Sequence, residues 1–82
     1  VTDDDVLAGL AEILSAVAGV DRNDVSPETT FADGLGIDSV TMIEVVVAAE
    51  DRFGVRIRDD DIDELRTVGD AADYISRAPV AV

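Results

Sequence analysis

Leu7, Leu10, Leu14 and Val17 recur every three or four residues, with Ile13 alongside. That is the spacing of one buried helix face. Thr2 followed by Asp5 reads as a capping box with Asp in place of Glu. Asp3, Asp4 and Asp5 lie where a helix N-terminus attracts negative charge, and Gly19 marks the stop. The stretch "DRNDVSPETTFADGLGI" follows without periodicity, and Asp, Asn, Ser, Pro and Gly dominate it. Val25, Phe31, Leu35 and Ile37 interrupt it. Those apolar side chains predict a long loop that is ordered by being pinned onto a core.

The second helix is "DSVTMIEVVVAAEDRFG". Val45, Val46 and Val47 are β-branched and on their own favour a strand. Length and flanks decide for a helix: Asp38 or Ser39 caps its start, Gly54 ends it, and Val40, Ile43 and Val47 keep helical spacing. Only Thr41, Glu44, Ala48 and Asp51 break an otherwise apolar circumference. A helix of that kind is a central packing element, a docking surface, or both. Val55 and Ile57 then alternate with Arg56 and Arg58, as in an extended connector. Residues 59–65 predict a short acidic helix with Ile62 and Leu65 facing in. Thr67 and Asp70 form another capping pair, and Val68, Ala71, Tyr74 and Ile75 make the last helical stripe. The expected fold is all-α: a four-helix bundle of three longer helices and one short third helix, with a long ordered loop between the first two. One domain spans residues 1–82, with its core at about 3–76 and a flexible tail at 77–82.

Composition narrows the picture. A chain of 82 residues with 48% apolar content is one small folded domain rather than a disordered acidic tail. Phe31, Phe53 and Tyr74 are its only aromatics, so the core is aliphatic. Nineteen acidic residues face six basic ones, all arginine, for a net charge of −13. That field repels nucleic acid and anionic membranes and favours basic protein partners. No run approaches the ~20 apolar residues of a membrane span. A charged-then-apolar leader is also absent, and a cytoplasmic location is expected.

The chain has no His, Lys or Cys. Ser39 therefore has no general base to make it a nucleophile in its own right. Paired carboxylates would need burial in a cleft to separate their pKa values, and a domain this small has little room for one. "DDDIDE" at 59–64 faintly resembles a calcium loop. That pattern wants Gly at its sixth position and Glu at its twelfth, where this chain has Glu64 and Asp70. Weak divalent association with the acidic surface is expected, but no dedicated metal site. Ser39 reads instead as a residue to be modified or as a helix cap. A helix N-terminus is a favourable seat for a phosphate diester, and Ser and Asp cap helices everywhere.

"GLGIDSVTMIEVVVAAEDRFGVRI" resembles the attachment segment of acyl carrier proteins. That family has Asp-Ser, then an aliphatic residue, Glu five positions after the serine, an acidic pair, and Phe-Gly or Phe-Asp. Asp38, Ser39, Val40, Glu44, Glu50, Asp51, Phe53 and Gly54 match it. The resemblance continues through "IRDDDIDELRTVGDAADYI" and covers about residues 3–76. "EVVVAAED", "IRDDD" and "LRTVGDAADYI" resemble carriers of actinobacterial type II fatty acid synthesis. Two departures are Val40, where such carriers usually have Leu, and "ADGLGI" in place of a more acidic run. Both leave open a carrier for a polyketide or other specialised pathway. A further alternative is an acidic helical interaction module that is never modified.

The resemblance implies a non-catalytic carrier. A phosphopantetheinyl transferase would move 4'-phosphopantetheine from coenzyme A to the Ser39 hydroxyl, and the arm's thiol would hold acyl chains as thioesters. Asp38, Thr41, Glu44, Glu50, Asp51 and Asp59 would meet basic patches on acyltransferase, ketosynthase, reductase and dehydratase partners. Val46, Val47 and Ile62 are the candidates to surround an acyl chain. A monomer is expected, with no metal, nucleic acid or membrane partner.

Overall fold

The computed structural model describes residues 3–78. Helix α1 runs Asp3–Ala18, α2 Ser39–Phe53, α3 Asp59–Ile62 and α4 Val68–Arg77. A 3-10 turn, Arg22–Asp24, lies between α1 and α2. The bundle is all-helical, as its sequence pattern implies. Thr2 of the expected first capping box and residues 79–82 of the expected tail lie outside the described residues. Arg77, assigned to that tail, is the last residue of α4.

Helix α1 packs against both α2 and α4 and is the centre of the bundle. Val6, Leu10 and Leu14 on it are completely or almost completely enclosed, with Ile13 beside them. Helix α2 buries one of its two apolar stripes. Its buried stripe is Val45, Val46 and Ala49, flanked by half-buried Met42, Ala48 and Phe53. Val40, Ile43 and Val47, the stripe that kept helical spacing, are 66%, 55% and 57% exposed. A helix that is apolar nearly all round carries two such stripes, and only contact with α1 selects between them.

Residues 59–65 also differ from the single helix expected there. Helix α3 is one turn long, and its N-cap, Arg58, supplies no side-chain cap. Glu64 N–H then donates to Asp61 O, and Leu65 N–H donates to Ile62 O. Those i→i+3 bonds wind the chain more tightly than an α-helix and swing Leu65 into the core, leaving Ile62 half-buried. Tyr74 on α4 holds this segment. Its hydroxyl donates to Asp61 Oδ2 at 2.6 Å and accepts from Arg58 N–H at 3.4 Å. The bond to Asp61, with partial burial, raises the Tyr74 pKa above its ordinary value of 10. A raised phenol pKa means that this stabilisation is whole below pH 10 and is lost as pH rises through the folded-state value. Tyr74→Phe should therefore cost about 0.5–1.5 kcal/mol at neutral pH. Urea unfolding should show the two proteins converging at strongly alkaline pH; an equal gap at every pH would refute this account.

The segment between α1 and α2 is bonded to the α3–α4 connection. Thr30 and Thr67 form an isolated antiparallel bridge. Phe31 N–H donates to Arg66 O at 3.0 Å, and Val68 N–H to Thr29 O at 2.8 Å. Phe31 and Ile37 are buried, while Val25 and Leu35 pack against the core at partial burial. At α4, Thr67 and Asp70 complete the expected capping box, with bonds of 3.0 and 3.2 Å.

Candidate functional site

Ser39 is the first residue of α2 and is exposed. The cap of that helix is Asp38, whose Oδ1 accepts from Thr41 N–H at 2.8 Å. Among the described residues nothing hydrogen-bonds the Ser39 hydroxyl. Division of labour between two neighbouring residues follows: Asp38 satisfies the helix end, and Ser39 presents a free hydroxyl beside it. The Thr41 backbone N–H, and secondarily the Thr41 hydroxyl, holds the Asp38 carboxyl below its usual pKa. The cap is therefore charged at neutral pH, and its contribution fades only as pH falls through that lowered value.

Ser39 opens onto a groove of about 960 Å³ between α2, α3 and the loop that precedes α2. Its apolar wall includes Met42, Ile43, Val46, Val47, Ile62 and Leu65. That volume lies in the ~300–1,000 Å³ range of small-molecule pockets. Val46, Val47 and Ile62, the three residues singled out from the sequence, all line it. Val45, Ile57, Ala71 and Ile75 are buried in the core and do not line it. Asp33, Asp38, Glu50, Asp59 and Asp63 stand on its walls or rim, together with one cation, Arg66.

The six acidic and polar candidates divide between two faces. Asp38 and Asp59 are exposed on the Ser39 groove. Glu44 and Asp51 are exposed along a second, shallower groove with Ile43, Val47, Val55 and Arg56. Glu50 borders both, but one carboxylate oxygen accepts from Ile57 N–H at 2.8 Å and secures the connector after α2. Thr41 is half-buried, its backbone taken by the Asp38 cap. Met42, Asp33 and Arg66 are groove residues that sequence reasoning missed. Met42 shares the helical row of Val46 and could have been found from it; Arg66 carries no local signal, because it arrives from the α3–α4 turn.

Residues 8–75 match the family model described as "Phosphopantetheine attachment site". The chain is 56% identical over 78 residues to an acyl carrier protein of Acidothermus cellulolyticus, covering 95% of this chain and 93% of that one. It belongs to the acyl carrier proteins. A second relative, from Thermobifida fusca, is 47% identical over 76 residues, with 93% and 96% coverage. The meromycolate extension acyl carrier protein of Mycobacterium leprae is 46% identical over 77 residues, 94% of this carrier and 67% of that protein. An acyl carrier protein of Enterococcus faecalis has the same fold, with a TM-score of 0.79 at 34% identity, covering 96% of this carrier and all of that chain.

As a carrier of this family the chain is the substrate of a phosphopantetheinyl transferase, not a catalyst, and its group is covalent 4'-phosphopantetheine. Among the described residues the buried side chains are all apolar. An exposed hydroxyl at a helix start, with an open apolar groove next to it, fits a tethered arm and its cargo. No described helix is long and apolar enough to cross a membrane.

Proposed function

We propose that Ser39 carries the 4'-phosphopantetheine arm and that the chain shuttles growing acyl chains between enzymes of type II fatty acid synthesis. The observation that carries this reading is the free Ser39 hydroxyl: Asp38 has taken over the cap, and the hydroxyl stands at the mouth of the groove. Ser39 Oγ attacks the phosphorus next to pantetheine in coenzyme A, the pyrophosphate bond breaks, and adenosine bisphosphate leaves. The hydroxyl proton goes to a base on the transferase, since this chain has neither His nor Lys. The arm supplies a thiol that holds the acyl group as a thioester.

Met42, Val46, Val47 and Ile62 then offer an apolar wall to the acyl chain. Exposed Val40, Ile43 and Val47, ringed by Glu44, Asp51 and the acids near Ser39, form the face that basic partner surfaces meet. Asp38 and Asp59 on the Ser39 groove, Glu50 between the two grooves, and Thr41 complete the recognition set in this reading. Acyltransferase, ketosynthase, reductase and dehydratase are the partners in this reading. Rim ion pairs contribute about 0–1 kcal/mol each, so they speed encounter without slowing release. The carrier acts as a monomer in the cytoplasm, where coenzyme A supplies the arm.

The test is intact mass after incubation with coenzyme A, magnesium and a promiscuous phosphopantetheinyl transferase. The native chain gains one phosphopantetheine group, and Ser39→Ala gains none while keeping its helical spectrum. A gain in both proteins would move the attachment elsewhere, and a gain in neither would end the proposal.

A further inference from the structure

Six arginines hold all of the side-chain positive charge. Four of them pair with carboxylates: Arg22 and Arg52 with Glu12, Arg58 with Asp60, and Arg77 with Asp73. Arg66 makes no ion pair among the described residues, although Asp33, Asp59 and Asp63 line the same groove. Its side chain is exposed, and it lines the same groove as the attachment residue. Arg66 O accepts from Phe31 N–H at 3.0 Å, and Phe31 O accepts from Ile37 N–H at 2.9 Å. Asp38 and Ser39 come next. Two backbone hydrogen bonds therefore link Arg66 to the segment that delivers Ser39.

A phosphodiester on Ser39 would bring a new negative charge to a rim already holding Asp33, Asp38, Asp59 and Asp63. The start of α2 offers it less than a free helix end would. Asp38 occupies Thr41 N–H and sets its own negative charge there. Among the described residues Arg66 is the one cation lining the groove. We propose that its guanidinium binds the phosphodiester of the arm on Ser39 and holds the start of that arm against the groove mouth. The planar donor fork suits two phosphate oxygens at once, which a point charge does not match. Arg66 is thus a positioning residue for the arm, and the proposal rests on Ser39 being the attachment residue.

The experiment uses the full chain labelled with nitrogen-15, apo and after loading from coenzyme A, with intact mass reporting the loading. On loading, the Arg66 Nε–H signal should move beyond its line width, while that of Arg56 stays. The phosphorus-31 resonance of the loaded chain should differ between native and Arg66→Gln, and be the same in native and Arg56→Gln. Added salt should carry the native resonance toward that of Arg66→Gln, because the contact lies at an exposed rim. A mass gain with either the Arg66 Nε–H signal or the phosphorus resonance unmoved overturns the proposal. Comparing apo and loaded native chain needs no variant, so a folding defect in Arg66→Gln could not hide the result. A chain that gains no mass overturns the attachment reading itself, and the two failures are distinguishable.

Discussion

Leu14→Ala should destabilise the folded chain by about 2–5 kcal/mol, the range for removing a large buried aliphatic side chain. Leu14 is completely enclosed and sits on α1, the helix that touches both α2 and α4. Removing its isopropyl group leaves a cavity that neither neighbouring helix can fill without giving up contacts of its own. The loss is large against the whole. A domain of this size has roughly 4–12 kcal/mol of net stability, at ~0.05–0.15 kcal/mol per residue. No disulfide or described metal cluster shares the load. Urea unfolding checks the prediction: the midpoint should fall steeply with an unchanged slope. A change below about 1 kcal/mol would mean that α1 is not the core's keystone.

Gly69→Ala should also destabilise, by about 1–3 kcal/mol, although alanine is the better helix former. Gly69 is the second residue of α4, so little propensity is gained there. A Cβ at this position would lie 2.7 Å from the Pro27 carbonyl oxygen and 3.2 Å from Pro27 Cβ. The obstacle is backbone, which cannot swing aside as a flexible side chain could. The same oxygen accepts from Gly69 N–H at 2.9 Å, and Val68 N–H is bonded to Thr29 beside it. Pushing Pro27 away would loosen the segment that carries Phe31 and Ile37 to Ser39. Hydrogen exchange of the Phe31, Val68 and residue-69 amides should accelerate together with the drop in stability. Stability equal to or above that of the native chain would show that the loop yields at no cost.

Local chemistry made much of the fold legible. The α1 stripe repeats at helical spacing, and the Thr67–Asp70 pair needs only four residues to close its two bonds. The alternation of buried Val55 and Ile57 with exposed Arg56 and Arg58 likewise belongs to the local backbone. Residue types alone left Ser39 as either a modified serine or a helix cap, and it was the resemblance of "GLGIDSVTMIEVVVAAEDRFGVRI" to the attachment segment of acyl carrier proteins that singled it out.

Tertiary structure decided the rest, through contacts between residues far apart in the chain. Both Asp38 and Ser39 are good caps by type, and the backbone approach to α2 assigned the cap to Asp38 and freed Ser39. Both apolar stripes of α2 look alike in sequence, and packing against α1 buried Val45, Val46 and Ala49 while exposing Val40, Ile43 and Val47. Glu50 looks like a surface acid until its bond to Ile57 N–H is seen. Arg66 lies 27 positions after Ser39, yet backbone bonds through Phe31 and Ile37 bring both to one groove. Periodicity, and which residue types can cap a helix, depend on neighbours within a turn or two and are therefore written along the chain, whereas which face is buried and which charges share a groove depend on the partner that packs there.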